Sequence, residues 1–110
     1  MAQVIWTEPA LLDLERIAEY IALDNPEAAD HLVWRVFKHV EILERHPESG
    51  SFPREMVNRV YRQIIEAPCR VFYSYLEDNV HIVAVFRSEQ RITKRRLQLR
   101  EGSIKKNRRR

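Results

Sequence analysis

The spacing of apolar residues changes once along this chain of 110 residues, and that change constrains the fold more than any other feature. Between residues 7 and 46, apolar side chains recur every three or four positions, the period of an amphipathic helix. Between residues 59 and 87 they are mostly β-branched or aromatic, and turn residues divide them into three runs. Helices followed by strands predict an α+β domain over residues 1–90. The short apolar run "QVIW" suits a further strand, although its length alone leaves a helix possible.

Capping residues mark the starts of two helices. Thr7 stands two residues before Pro9, and Asn25 stands directly before Pro26, so each helix has a side-chain N-cap and a proline in its first turn. Only a few residues separate the helices, which predicts an antiparallel αα-hairpin. The loop at 46–55 is rich in turn residues and leads into the strands.

The last two strands form a predicted hairpin with an arginine at each outer end. If Asp78-Asn79 is a two-residue turn, Arg70 lies opposite Arg87. Like charges at that separation repel by up to about 1 kcal/mol, and a shared anionic ligand would turn the repulsion into attraction. Two interpretations follow: the arginines form an anion site, or they are solvated edge residues that nearby carboxylates neutralise.

Alternation in that register divides the hairpin into two faces. We expect one, almost wholly apolar, face to pack on the helices. It comprises Val71, Tyr73, Tyr75, Val80, Ile82, Ala84 and Phe86. The second face mixes apolar groups with cations, and exposed mixed surfaces of this kind usually bind a partner. It comprises Arg70, Phe72, Ser74, Leu76, His81, Val83, Val85 and Arg87.

Charge is divided unequally along the chain. Residues 1–57 carry 5 Lys/Arg and 11 Asp/Glu, a balance of −6, whereas residues 58–110 carry 14 Lys/Arg and 5 Asp/Glu, a balance of +9. The basic half should attract an anionic partner, either nucleic acid or an acidic protein segment. We expect residues 91–110 to form a basic tail that is a short helix or disordered.

Composition also excludes several classes of site. Cys69 is the only cysteine and none of the four histidines has metal-site spacing, so we expect no disulfide, no metal and no cofactor. No apolar run is long enough to span a bilayer, and the N-terminus lacks the pattern of a secretion signal. The sequence therefore predicts a cytoplasmic protein that does not bind membranes.

An ordered set of segments carries a resemblance to a known family. The segments are "WTEPALLDLERIAEYIA", "NPEAAD", "LERHPESG" and "RVFYSYLEDNVHIVAVFR". Together they resemble the RelE/ParE toxin superfamily of bacterial toxin–antitoxin and plasmid-stabilisation modules. The resemblance covers residues 3–88 and implies an N-terminal strand, an antiparallel αα-hairpin packed on one face of a small antiparallel β-sheet, and a basic C-terminal tail. The matching positions are Thr7, Ala10, Asp13, Leu14, Ile17, Tyr20, Ile21, Pro26, Ala28, Ala29, Leu43, Pro47, Gly50, Arg70, Phe72 and Tyr73.

The resemblance implies one of two activities. RelE-like members cut mRNA in the ribosomal A site with basic residues on the sheet and often a Tyr or His near the C-terminus, whereas ParE-like members poison DNA gyrase. Arg70 matches the basic sheet residue of the nuclease branch, and Arg87 lies near the position of another. Residues 88–110 contain neither Tyr nor His, and an arginine stays charged, which makes it a poor proton donor or acceptor. We therefore expect a ParE-like gyrase inhibitor that is not an enzyme.

The alternative is a ribosome-dependent mRNA endoribonuclease. It would use Arg70 and Arg87 to stabilise the phosphate, with Tyr61, Glu55 or His81 as the missing acid or base.

The resemblance also implies a cognate antitoxin as partner in a hetero-oligomer. Antitoxins of this class are typically acidic in a C-terminal segment that folds on binding, which suits a face with apolar and cationic groups. The residues expected to bind the antitoxin or the target are Arg62, Arg70, Phe72, Ser74, Val83, Val85, Arg87 and Arg91.

Overall fold

The fold consists of a helical hairpin on one side of a four-stranded sheet, which confirms the α+β class. The computed structural model describes residues 1–56, 59–90 and 95–100. Residues 95–100 form a short helical segment, and no helix in the described part of the chain is long and apolar enough to cross a membrane. The other elements are β1 (Gln3–Trp6), α1 (Glu8–Ala22), α2 (Pro26–Glu41), a 3-10 turn (Ile42–Glu44), β2 (Arg62–Glu66), β3 (Cys69–Leu76) and β4 (Asn79–Arg87).

Both helices begin where the sequence places a capping residue. The Thr7 hydroxyl accepts a hydrogen bond from the Ala10 amide at 3.3 Å, and Asn25 Oδ1 accepts one from the Ala28 amide at 3.1 Å. Each bond satisfies an N–H group that the first helical turn leaves without a backbone partner. The two N-caps predicted from the sequence are therefore confirmed.

The four strands form one mixed sheet in the order β1-β4-β3-β2. The pairs β2–β3 and β3–β4 are antiparallel, whereas β1 runs parallel to β4. The sheet is thus mixed rather than purely antiparallel, because the helices and strands between β1 and β4 provide the long connection that parallel pairing requires. At the end of β1 the Thr7 hydroxyl donates to the Ile82 carbonyl at 2.7 Å, so the N-cap of α1 also joins the two strands.

The main core lies between the helical hairpin and the facing side of the sheet. Burial of a Leu, Ile or Val side chain contributes about 1.5–3 kcal/mol, so packing on the sheet, more than helix propensity, stabilises the hairpin. The buried core residues include Ala10, Leu14, Ile17, Leu32, Val36, Val40, Leu43, Val71, Tyr73, Val80, Ile82 and Val85.

Tyr73 joins the loop after the 3-10 turn to the sheet. Its side chain is buried, and its hydroxyl donates to the Pro47 carbonyl at 2.8 Å and accepts from the Gly50 amide at 2.9 Å. A Cβ atom at position 50 would lie 2.5 Å from the Tyr73 oxygen and 2.8 Å from the Gln63 carbonyl oxygen. Glycine is therefore required at this position by the close approach of its neighbours.

Candidate functional site

The β3–β4 turn lies one residue earlier than the sequence suggests. Glu77 and Asp78 form the turn with φ values of 52° and 62°, and Leu76 pairs with Asn79. Two central residues with positive φ give a turn whose twist matches that of an antiparallel hairpin. The predicted Asp78-Asn79 turn is therefore wrong. This shift alone changes each cross-strand partner by two positions, so every side chain would stay on the predicted face of the sheet.

A β-bulge in β4 changes the faces. Tyr73 pairs with Ile82, but Phe72 pairs with Ala84, which leaves Val83 as the extra residue. An extra residue in one strand of a pair reverses the alternation of that strand beyond it. Every side chain of β4 after the bulge therefore points to the face opposite the one predicted.

The bulge places Arg70 and Arg87 on opposite faces of the sheet. Arg70 pairs with Phe86, one position short of Arg87. The predicted opposition of the two arginines is wrong, and one anion cannot bind both. For the same reason Ala84 and Phe86 belong to the second face, whereas Val85 joins the main core.

The second face of the sheet is covered by the chain itself. Leu97, in the helical segment 95–100, is fully buried against it, and Met56 and Tyr61 from the loop before β2 complete the cover. The expectation that this face is exposed to a partner is therefore wrong. Four of the predicted binding residues are buried: Phe72, Ser74, Val83 and Val85. The cluster on this face comprises Met56, Tyr61, Phe72, Val83, Ala84, Phe86 and Leu97.

An ion pair fixes the segment 95–100 to the rest of the domain. The Arg100 guanidinium binds the Asp13 carboxylate through hydrogen bonds of 2.9 and 3.0 Å, and it also donates to the Val83 carbonyl at 3.3 Å. Asp13 accepts a further bond from the Val85 amide at 3.1 Å. Arg100 and Asp13 thereby satisfy the Val83 carbonyl and the Val85 amide of β4. Both groups lie beyond Ile82, the last residue of β4 that pairs with β1.

Arg70 is engaged by its neighbours. Its guanidinium forms a bidentate pair with Glu55 at 2.8 and 3.0 Å, donates to Gln63 Oε1 at 2.8 Å, and lies 5.0 Å from the centre of the Phe72 ring. The hydrogen bond from Arg70 is the main cause that lowers the pKa of the Glu55 carboxyl below its ordinary value. The cation is therefore neutralised within the molecule, and Glu55 stays ionised.

Arg62 stabilises the loop that precedes it in the chain. It donates to the carbonyl oxygens of Glu48 and Gly50, each at 3.0 Å, and its guanidinium lies 4.2 Å from the centre of the Phe52 ring. Through these contacts the Arg62 guanidinium holds the loop at residues 48–52 against β2. Arg91, also predicted as a binding cation, lies outside the described residues.

Arg87 lies on the helix side of the sheet, beside a small pocket. Its guanidinium is 5.6 Å from the centre of the Tyr20 ring, and its Nε is 3.2 Å from the carboxylate of Glu89. Arg16 and Ile17 complete the lining of the pocket, whose volume is about 330 Å³. Arg16 and Tyr20 were not predicted as site residues, although their spacing of four positions puts both on one helix face.

Two of the candidate nuclease residues, Arg70 and Glu55, are in contact as an ion pair, but the set as a whole does not surround one open site. Tyr61 is fully buried in the cluster of the second face, and Arg70 is paired with Glu55 on that side of the sheet. Arg87 lies on the other side, and His81 is buried within β4. Cleavage of a phosphodiester needs a charge stabiliser and proton-transfer groups within reach of one phosphate, and these residues do not provide that arrangement.

Two further observations limit the chemistry of the described residues. Burial raises the pKa of the Cys69 thiol to about 11, so the sulfur is protonated at neutral pH and is a poor nucleophile. Within residues 1–56, 59–90 and 95–100, no group of three or more His, Cys, Asp or Glu is arranged to hold a metal ion.

Comparison with known proteins assigns the chain to a family. Residues 4–92 match the family model described as ParE toxin of type II toxin-antitoxin system, parDE. Toxin RelE2 of Caulobacter vibrioides is 35% identical over 86 residues, covering 77% of this chain and 93% of that protein. A solved structure described as the chromosomal ParDE TA system from P. aeruginosa superposes with a TM-score of 0.67 at 25% identity, covering 81% of this chain and 98% of the other. The chain therefore belongs to the ParE toxin family of type II toxin–antitoxin systems, within the RelE/ParE superfamily.

Proposed function

We propose that this toxin acts in the cytoplasm by inhibiting DNA gyrase, without cutting nucleic acid, and that a cognate antitoxin neutralises it in a hetero-oligomer. The family assignment establishes that the chain is a type II toxin, and the proposal adds DNA gyrase as its target. We choose between the two activities of the superfamily from one observation, the relative position of Arg70, Arg87 and Tyr61.

A nuclease of this fold would need these residues around one phosphate. Arg70 is neutralised by Glu55, Arg87 faces the helices, and Tyr61 has no exposed surface. Exposing Tyr61 to a phosphate would require the second face to lose its cover, and bringing Arg87 to that face would require a different register of β4. A protein that inhibits by binding needs no such convergence, so the observed arrangement supports inhibition by contact.

The antitoxin is proposed as partner on two grounds. The family is defined as the toxin of a type II toxin–antitoxin system, and the solved relative from P. aeruginosa is described as a ParDE system. The charge balance of +9 in residues 58–110 also suits an acidic segment of a partner, by increasing the association rate.

A supercoiling assay tests the proposal. Purified toxin is added to DNA gyrase with relaxed plasmid and ATP, and we expect loss of supercoiling that increases with toxin concentration. Toxin saturated with its antitoxin is the matched control and should leave supercoiling intact. Normal supercoiling at toxin concentrations far above those of gyrase would contradict the proposed target.

The alternative function, a ribosome-dependent mRNA endoribonuclease, is favoured by one observation, the 35% identity to a toxin named RelE2. It is tested by adding the toxin to ribosomes programmed with a defined mRNA and mapping the 5′ ends of the products. Cleaved transcript together with undisturbed gyrase would reverse the assignment. An Arg70→Ala variant then separates a catalytic role from a structural one, because only a catalytic role abolishes cleavage while the variant stays folded.

A further inference from the structure

The pocket beside Arg87, on the helix side of the sheet, can bind an anion. Its lining combines Arg16, Ile17 and Tyr20 from α1 with Arg87, the last residue of β4. The Arg87 backbone is held in place because its amide donates to Gln90 Oε1 at 2.7 Å. The pocket is therefore built by two elements whose relative position the main core fixes.

The Arg87 side chain is oriented but only weakly neutralised. Its guanidinium lies 5.6 Å from the centre of the Tyr20 ring, within the range of a cation–π contact, which favours this position of the side chain. Its carboxylate neighbour, Glu89, forms an ion pair in which the two side chains are 42% and 66% exposed. Exposed pairs of this kind contribute little, so a better placed carboxylate can replace Glu89.

Arg16 adds a second cation to the same pocket. It is exposed, and among the described residues no carboxylate forms an ion pair with it. Two guanidinium groups line this pocket of about 330 Å³, and the ion pair of Arg87 with Glu89, which is not a lining residue, still leaves a net positive site. Binding of an anion relieves the repulsion between the cations and adds charge-assisted hydrogen bonds.

The charges around the pocket discriminate between classes of anion. Helix α1 also carries the exposed carboxylates Glu15 and Glu19, which directly precede the pocket residues Arg16 and Tyr20 in the chain and line the groove towards α2. A nucleic acid places a phosphate at every nucleotide, and its neighbouring phosphates would meet these carboxylates. A peptide can place one acidic side chain in the pocket and direct its other carboxylates away from Glu15 and Glu19, which avoids that repulsion. Tyr20, 65% exposed, offers a ring on which an apolar neighbour of that side chain can pack.

We infer that the Arg16–Tyr20–Arg87 pocket binds an aspartate or glutamate side chain of the antitoxin, and that an apolar residue next to it packs on Tyr20. This inference rests on the proposed neutralisation by an antitoxin. It replaces the sheet face, which the chain itself covers, with a site on the helix side. It also gives Arg87 a partner-binding role without Arg70.

Calorimetric titration of the full-length toxin with its full-length antitoxin tests the inference. The Arg16→Gln/Arg87→Gln variant should bind about 10- to 100-fold more weakly than wild type and with a smaller salt dependence. The matched control, Arg54→Gln/Arg95→Gln, removes the same charge from exposed arginines that do not line the pocket, and its affinity should stay within about threefold of wild type.

Further variants separate geometry from charge. Arg87→Lys keeps the charge but cannot bind a carboxylate in a bidentate manner, so it should lose about tenfold in affinity. Tyr20→Phe keeps the ring and should bind as wild type, whereas Tyr20→Ala should bind several-fold more weakly. Thermal unfolding of each variant, compared with wild type, confirms that the variants are folded.

Three results would overturn the inference. The first is wild-type affinity in the Arg16→Gln/Arg87→Gln variant, and the second is an equal loss in the control pair, which would make the effect one of net charge. The third is a loss of binding to a 20-base-pair DNA duplex without any loss of antitoxin binding, which would assign the pocket to nucleic acid. Failure of wild-type toxin to bind its antitoxin would instead overturn the proposed neutralisation, and this inference with it.

Discussion

Replacing Tyr73 with phenylalanine would remove one oxygen atom from the buried junction between β3 and the loop at residues 47–50. That oxygen accepts a hydrogen bond from the Gly50 amide at 2.9 Å and donates one to the Pro47 carbonyl at 2.8 Å. A net hydrogen bond contributes about 0.5–1.5 kcal/mol, and a buried group that loses its partner costs about 1–3 kcal/mol. We therefore expect Tyr73→Phe to lower the free energy of unfolding by about 2 kcal/mol.

The expected change in melting temperature follows from the size of the domain. An unfolding entropy of about 2.1 cal/mol/K per residue gives roughly 0.23 kcal/mol/K for the chain, so 2 kcal/mol corresponds to about 9 °C. Tyr75→Phe is the matched control, because it removes the same atom from the same strand where the hydroxyl donates to Asp78 Oδ1 at 3.2 Å in an exposed position. It should change the melting temperature by less than about 2 °C.

Chemical denaturation with urea, followed by circular dichroism, measures both free energies of unfolding. We expect the free energy of unfolding to fall by at least about 1 kcal/mol more in Tyr73→Phe than in Tyr75→Phe, with an unchanged slope against urea concentration. Equal losses in the two variants would refute this expectation, because the buried hydroxyl would then contribute no more than the exposed one.

Three more predictions concern other parts of the molecule. Arg100→Ala removes the partner of Asp13, so amide hydrogen exchange in the segment 95–100 should accelerate by about tenfold or more, and unchanged exchange would show that the ion pair does not hold the segment. Burial raises the pKa of Cys69 from its ordinary value of 9.0 to about 11, so iodoacetamide near pH 7.5 should alkylate the folded protein at least about 100-fold more slowly than the unfolded protein, and comparable rates would mean that the thiol is accessible. The lowered pKa of Glu55 adds stability that is present above its ordinary value of 4.5 and is lost as the pH falls through the folded value. Wild type should therefore lose more stability than Glu55→Gln between about pH 5 and pH 3, whereas parallel pH profiles would rule this pair out as a source of acid sensitivity.

The helical half of the fold could be predicted from sequence because its signals are local. The N-cap residues Thr7 and Asn25 each bond to an amide three positions further along the chain, so the capping residue and the amide it binds lie within one short segment. The apolar stripes of α1 and α2 have a solvated opposite face, and the contrast between the faces reveals which side is buried.

The hairpin could not be placed in register because both of its faces are buried. From Val80 to Phe86 every residue of β4 is buried, so apolar residues occupy nearly every position and alternation no longer identifies a face. The bulge at Val83 is consistent with the same apolar run and has no glycine or proline to mark it. Because Val83 is one extra residue in β4, Arg70 and Arg87 lie on opposite faces of the sheet.

The cover on the second face depends on contacts between distant parts of the chain. Arg100 and Asp13 are 87 positions apart, and Leu97 stands among cations in a segment too short to show a clear helical period. The pocket residues Arg16 and Arg87 are separated in the same way, by nearly the whole domain. Sequence patterns describe residues that are close along the chain, so they could not predict a site built from distant positions.

The parallel pairing of β1 with β4 has a consequence for how the toxin is made. Strand β1 has no partner in the sheet until β4 has been synthesised, because β4 is the strand that β1 pairs with among the described residues. A nascent chain released before residue 87 therefore lacks both the completed sheet and the cation that β4 contributes to the pocket. We expect such fragments to be harmless, and a partner that contacts Arg16 and Arg87 together can recognise only chains that include β4.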